Sequence, residues 1–427
     1  MASKRFLALL VLAAILGVVA SLAAWCFVEL AHQANVGAYE SLPDLFGFDT
    51  TPLWWSIPLL AIAGVIVAFA IHRMPGRGGH TPAYGLSAGQ ILPNQLPGVL
   101  LAGLATIGLG AVLGPEAPLI ALGGGLGLLA ARLVGKNATP EVGQILAASA
   151  TFAALSLIFG SPLIAAIILI EVIGLGGPRL TTILIPGLLA AGIGSLVSIG
   201  MGSFTGLSSS AYALDPFALP AFNKPDLVDF LWTIPLAAVI ALGTAVIFGA
   251  ARPLVPLMER RGFVALPVAG VVIGILALVF AEITDKAPDE VLFSGQDQVS
   301  GLISSAGSWS LGALALLIVL KGMGYAISLA GFRGGPTFPA MFLGVAAGLM
   351  AAQLPGFETT PAVAVGVGAA VVAVLRIPLS AVVLAALLTS TTGLGASPLI
   401  IVGVVVAYIV TQAVSPKAPA PTPAPAA

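Results

Sequence analysis

Glu116 is an acidic residue that stands between Pro115 and Pro118 in a stretch otherwise free of charge. Because proline fits the first turn of a helix and disrupts its interior, this pattern predicts a helix that begins here. An ionised carboxylate inside a membrane is costly unless it is paired or hydrated. The acid could simply serve the positive end of the helix dipole, or it could be a titratable gate that competes with a permeating anion for the helix amides. We favour the gate, because the helix break is embedded in apolar sequence.

A second helix start is predicted at Thr337-Phe338-Pro339, which corresponds to Ala117-Pro118. Helix N-termini offer unpaired N–H groups and a partial positive charge without a fixed cation. Two such starts could bind a dehydrated anion weakly enough to release it. The alternative is that both are only breaks between packed helices.

The two helix starts belong to similar stretches of sequence. Residues 118–131 and 339–352 share seven of fourteen residues without a gap, and Gly114 falls opposite Gly335. Each stretch also contains a pair of glycines at the spacing that lets helices approach closely, namely Gly123 with Gly127 and Gly344 with Gly348. The sequence therefore predicts an internal repeat.

Composition sets the class of protein that must position these residues. Of 427 residues, 59% are hydrophobic and 8% are charged, and apolar runs recur along almost the whole length. These values exclude a soluble domain and predict an all-α polytopic membrane protein. A net charge of −1 gives no electrostatic footprint for nucleic acid, and the single cysteine cannot form an intrachain disulfide. We predict no metal site and no cofactor.

Four segments are expected along the chain. Residues 1–200 form a first transmembrane repeat half, 201–230 a polar connection, 231–414 a second half, and 415–427 a disordered Pro/Ala tail. Within each half, several apolar runs are too short to cross a bilayer and end at Gly/Pro breaks. Such interrupted helices indicate a substrate site near the middle of the membrane. Arg73 and Arg77 place their loop on the cytoplasmic side.

Three stretches resemble signature sequences of the CLC chloride channel and transporter family: Gly114-Pro-Glu-Ala-Pro118, Gly331-Phe-Arg-Gly-Gly-Pro-Thr-Phe-Pro339, and Phe159-Gly-Ser-Pro-Leu163 through Glu171. The likeness extends in order over roughly residues 5 to 413. It implies inverted repeats of tilted and broken helices, a homodimer, and one anion pathway per subunit. The family includes passive channels, proton-coupled antiporters and a fluoride-exporting branch.

The resemblance also implies roles for individual residues. Glu116 matches the external gating glutamate, with Gly114 and Ala117 beside it at the first anion-binding helix start. The stretch from Gly335 through Thr337 and Phe338 to Pro339 matches the second helix start. In the loop Gly78-Gly79-His80-Thr81-Pro82, Gly79 stands where the family has an anion-coordinating serine. His80 beside it is either structural or a titratable ligand.

Further departures concern proton coupling. The family's paired inner acids correspond to Glu171 and Val172, so the proton-transferring position holds valine. Glu171 is either a packing acid or a shifted proton site. The helix that carries the family's anion-contacting tyrosine is expected to be absent. Lys321 either snorkels at a helix end or lends positive potential to an anion pathway.

The sequence thus predicts a transporter, not an enzyme, that carries chloride or a related anion across a bacterial-type inner membrane. A passive or weakly proton-coupled conductor is favoured because of Val172, and proton/anion antiport of chloride or fluoride is the alternative. Two other classes stay open: a membrane-embedded hydrolase that uses Ser87, and a cation-coupled solute symporter.

Overall fold

A computed structural model describes residues 4–86, 91–134, 139–173, 178–205 and 213–414. Over these ranges the chain is helical, apart from connections and one isolated antiparallel bridge. In chain order the helices are α1 (Lys4–Val36), α2 (Leu42–Leu45), α3 (Ser56–Arg73), α4 (Leu96–Gly108), α5 (Glu116–Val134), α6 (Pro140–Ile158), α7 (Pro162–Ile173), α8 (Pro178–Thr205), α9 (Leu227–Ala251), α10 (Val255–Arg260), α11 (Gly262–Thr284), α12 (Gln298–Ser304), α13 (Leu311–Gly331), α14 (Thr337–Ala351), α15 (Thr359–Leu375), α16 (Pro378–Leu388) and α17 (Ser397–Val414).

Long and short helices alternate in the described part of the chain. Nine helical stretches there are long and apolar enough to cross a membrane. Helices α7 and α16 have 12 and 11 residues, so each is under about 20 Å long, whereas the hydrocarbon core is about 30 Å thick. The prediction of short, broken helices is confirmed.

The orientation of the helices defines two ends of the molecule. The indole N–H of Trp55 donates to the carbonyl of Ala38, so α3 begins where α1 ends. The ring of His72 at the end of α3 stacks on Phe263 at the start of α11, which makes α3 and α11 antiparallel. We call the end that holds Lys4, Arg73 and Arg77 the basic end. The connections 37–55 and 285–305 lie at the opposite end.

The predicted glycine pairs lie at close helix contacts. A side chain at Gly127 of α5 would overlap the backbone of Ala147 in α6. A side chain at Gly348 of α14 would likewise overlap the backbone of Ala362 in α15. The equivalent helices of the two repeats therefore pack on their neighbours in the same way.

Helix α8 lies mostly within the predicted first transmembrane half. Pro186 and several glycines interrupt its apolar sequence, yet the helix continues through them to Thr205. The division of the chain near residue 200 stays a prediction. The predicted tail, 415–427, and Ser87 of the hydrolase alternative lie outside the described residues.

Candidate functional site

Glu116 begins α5, and its side chain lies at the N-terminus of α14, the equivalent helix of the second repeat. Its Oε1 accepts hydrogen bonds from the backbone N–H groups of Thr337 at 3.0 Å and Phe338 at 3.1 Å. The side chain is 1% exposed, and its Oε2 has no hydrogen-bond partner among the described residues. The carboxylate thus accepts hydrogen bonds from amides that are 221 and 222 residues away in sequence. Glu116 therefore neutralises the positive end of α14 and does more than cap its own helix, α5.

The two helix starts are joined directly through their backbones. Gly114 donates its N–H to the carbonyl of Gly335 at 2.8 Å, and Gly335 donates to Gly114 at 2.6 Å. A side chain at either glycine would collide with the carboxylate of Glu116. Because both amides are engaged with each other, they offer no hydrogen to an anion in this state. Direct anion binding by Gly114 and Gly335 therefore stays an untested prediction.

The start of α14 is held in place by neighbouring aromatic residues. The Tyr325 hydroxyl donates to the carbonyl of Pro336 at 2.6 Å. The rings of Phe159 and Phe338 stack with centroids 5.7 Å apart. Both contacts fix the turn that aims the amides of Thr337 and Phe338 at Glu116.

Two cavities open on either side of Glu116. Pro115 lines a cavity of about 80 Å³ with His32, Phe293 and Asp297, at the end opposite the basic end. Ala117 lines a larger cavity of about 280 Å³ with the loop 76–80, at the basic end. Glu116 is buried, and it stands in the sequence between Pro115, which lines one cavity, and Ala117, which lines the other.

The predicted loop residues Gly79 and His80 both line the basic-end cavity. Gly79 adopts a φ of 95°, and a side chain there would press on Val99. Partial burial lowers the pKa of His80, and the positive charge of Arg333 lowers it further, against the effect of a backbone hydrogen bond at Gly85. The ring is therefore neutral at neutral pH.

Arg333 is a site residue that sequence reasoning missed. It lies in the quoted stretch 331–339, it lines the basic-end cavity, and it is 4% exposed. Its backbone N–H donates to the hydroxyl of Thr106 on α4 at 3.1 Å. The available signal was an arginine inside an apolar region of a membrane protein, which by itself marks a candidate functional residue.

Glu171 lies in a separate cluster, between α7 and the start of α16. Its two oxygens accept hydrogen bonds from the backbone N–H groups of Leu379 and Ser380, at 2.9 and 2.7 Å, and from the Ser380 hydroxyl at 2.6 Å. The structure therefore does not bring Glu171 together with Glu116. Val172 follows it and is half-buried.

Lys321 is buried in α13 and does not snorkel to a helix end. Its ammonium group donates to the backbone carbonyls of Glu290, Leu292 and Phe293, and it lies 4.4 Å from the ring centre of Phe342. These contacts anchor the connection that lines the smaller cavity.

Broken helices that meet at a buried carboxylate between two cavities form the architecture of a polytopic ion transporter. A sequence model of the family described as voltage gated chloride channel matches residues 82–412. The chain belongs to this family, the CLC family, whose members are ion transporters. The predictions of family and fold class, including the inverted repeats, are confirmed, and the protein is a multi-pass integral membrane protein.

Individual relatives agree with this assignment. The protein named "Putative ion-transport protein YfeO" from Salmonella newport (strain SL254) is 30% identical over 362 residues, covering 82% of this chain and 81% of that protein. The fold is similar to the crystal structure of a slow cyanobacterial Cl⁻/H⁺ antiporter, with a TM-score of 0.77, 19% identity, and coverage of 98% and 96% of the two chains. A CLC-type fluoride/proton antiporter matches with a TM-score of 0.69, 19% identity and 97% coverage of each chain.

Proposed function

We propose that the protein carries chloride or a related small anion through a pathway in each subunit, with Glu116 as the gate. The pathway runs from the cavity lined by Pro115, past Glu116, to the cavity lined by Ala117. Transport is passive or only weakly coupled to protons. Proton/anion antiport, of chloride or fluoride, is the alternative.

One observation carries this proposal: the Glu116 carboxylate occupies the amides of Thr337 and Phe338. A carboxylate and a small anion both need the same pair of N–H donors, so the two compete for one position. Protonation removes the charge from Glu116 and weakens its hold on these amides. An anion can then take its place.

The surroundings of Glu171 support weak coupling. Three hydrogen bonds from the start of α16 engage both oxygens of Glu171, as expected of a packing acid. Val172, at the position matched to the family's proton-transferring acid, cannot carry a proton. The antiport alternative is favoured by the two solved neighbours, which are both described as proton antiporters.

A homodimer in a bacterial inner membrane forms part of the same proposal. Helix α7 packs on α16, and exposed leucines project from both, Leu163 and Leu379. Ile401, Val405 and Ile409 extend an exposed apolar face along α17. A second copy of the chain would cover this surface, and light scattering of the purified protein in detergent tests this assignment.

Chloride efflux from proteoliposomes, recorded together with external pH, tests the proposal. The wild type should release chloride without stoichiometric proton movement, at a rate that rises as pH falls. Glu116→Gln should conduct at a pH-independent rate, because the amide resembles the protonated acid. Wild-type pH dependence in this variant would refute the gate.

Glu171→Gln is the matched control, since it neutralises a carboxylate outside the pathway. It should leave chloride flux and its pH dependence intact. Protons driven uphill by a chloride gradient in the wild type, and lost in Glu171→Gln, would establish the antiport alternative instead.

A further inference from the structure

The basic-end cavity is lined by one fully charged side chain among the described residues. Its volume of about 280 Å³ is far more than a single water needs. Arg333 supplies the charge, and the other polar side chains in the wall are His80 and Gln95. No carboxylate belongs to the described lining, so nothing there neutralises the guanidinium.

The hydrogen bonds of Arg333 leave part of its guanidinium unused. Nη1 donates to the carbonyls of Gly331 at 3.1 Å and Phe332 at 3.2 Å. Nε has no hydrogen-bond partner among the described residues, although it is buried. Glu259 and Arg77 act on Arg333 through their charges, and the attraction of Glu259 is larger than the repulsion of Arg77. Among the described residues no carboxylate is hydrogen-bonded to this guanidinium, which is 4% exposed, so an anion bound beside it would offset part of the cost of burying its charge.

The rest of the wall favours an anion as that partner. Ala117 and Pro118 belong to the first turn of α5, and the helix dipole makes this end of the helix positive. The neutral imidazole of His80 can donate one N–H, and it brings no negative charge. Gly79 supplies no hydroxyl at the position where the family has a serine.

We infer that Arg333 binds the transported anion in the basic-end cavity, as a fixed cationic ligand that takes over from the missing serine hydroxyl. This inference rests on the proposed function, and what it adds is a charged ligand, Arg333, on the basic side of Glu116. The ligand is a small monovalent anion, held by charge-assisted hydrogen bonds from the guanidinium. Because the site is separate from the amides of Thr337 and Phe338, it can be filled while Glu116 remains in place.

The first test needs no variant. Crystals of the wild-type protein at saturating bromide should show an anomalous bromide peak in the cavity beside the Arg333 guanidinium, with Glu116 still bound to the α14 amides. Bromide found solely at Thr337 and Phe338, or absent from this cavity, would overturn the inference.

Chloride titration calorimetry on the purified full-length protein gives the second test. Arg333→Gln should weaken binding by about tenfold to one-hundredfold, the loss expected for a charge-assisted hydrogen bond. Arg333→Lys keeps the positive charge but loses the planar, forked guanidinium, so its chloride affinity should lie between those of the wild type and Arg333→Gln. Arg73→Gln removes an exposed cation of the same end and should bind as the wild type does. Wild-type affinity in a folded Arg333→Gln protein, or equal losses in Arg333→Gln and Arg73→Gln, would refute a specific role.

Failure of this inference differs from failure of the proposed function. Bromide in the cavity of a protein that moves no anion in liposomes would leave the Arg333 site standing and remove the transport proposal. Anion flux in liposomes, together with wild-type chloride affinity in Arg333→Gln, would remove the Arg333 site and leave the transport proposal standing.

Discussion

Gly335→Ala should open the Glu116 gate without removing its carboxylate. The added Cβ would collide with Oε2 and Cδ of Glu116, and would lie 2.9 Å from its Cβ. The φ of Gly335 lies outside the left-handed region, so alanine costs no backbone strain there. Alanine also retains the N–H that donates to Gly114. The substitution therefore expels the glutamate carboxylate, and a small backbone shift must relieve the remaining contact with its Cβ.

The size of the effect follows from the two hydrogen bonds that Glu116 loses. Hydrogen bonds to a charged group contribute about 1.5 to 3 kcal/mol each, so together they favour the closed position by at least about 3 kcal/mol. This free energy corresponds to about a hundredfold change in population. At a pH where Glu116 is ionised, anion flux through Gly335→Ala should approach that of Glu116→Gln and lose its pH dependence.

Chloride efflux from proteoliposomes across a pH series is the appropriate assay. Gly124→Ala is a matched control, because its Cβ would meet only the Thr151 hydroxyl at an ordinary 3.9 Å. The double variant Glu116→Gly with Gly335→Ala should behave as Glu116→Gly alone does, since no side chain remains to be expelled. A folded Gly335→Ala protein with wild-type pH dependence would refute the reasoning. A double variant that is blocked while Glu116→Gly conducts would show that the methyl group itself obstructs the pathway.

Three further predictions concern Glu171, Lys321 and His80. Glu171→Ala should lower the free energy of unfolding by about 1 to 3 kcal/mol, because it uncaps α16; thermal unfolding in detergent measures this, and unchanged stability would contradict a packing role. Lys321→Met should cost about 3 kcal/mol or more, since it leaves three backbone carbonyls without their donor. The control Lys286→Met loses a cation–π contact with Trp309, worth about 0.5 to 1 kcal/mol, and an electrostatic attraction to Glu290, so equal losses would refute the role of Lys321. The pKa of His80 is lowered, so above pH about 6.5 the ring is neutral in folded and unfolded chains alike. As pH falls below that value the unfolded chain takes up the proton first, and stability is lost. His80→Gln should therefore match the wild type in stability above that pH and reduce the loss of stability below it, and an unchanged loss of stability below it would contradict a lowered pKa.

Much of the fold could be predicted because the rules that set it act over short distances. Apolar runs specify membrane helices, and prolines and glycines specify where those helices break, as at Glu116 and Thr337. The spacing of Gly123 and Gly127 predicted a close helix contact for the same reason. Helix α8 continues through Pro186, where local sequence alone favours a break, because the helix packs on α1 and α6.

The sequence by itself determined that this chain is a membrane protein, that its helices are broken and repeated, and that Glu116 begins one of them. Only the tertiary structure decided which amides that carboxylate occupies, since Thr337 and Phe338 approach it by docking of the two repeats. It likewise decided that the amides of Gly114 and Gly335 are paired with each other, and that Arg333 faces a cavity instead of a carboxylate. The physical reason is that helix formation depends on neighbours a few residues away, whereas the partner of a buried charge depends on how distant segments pack.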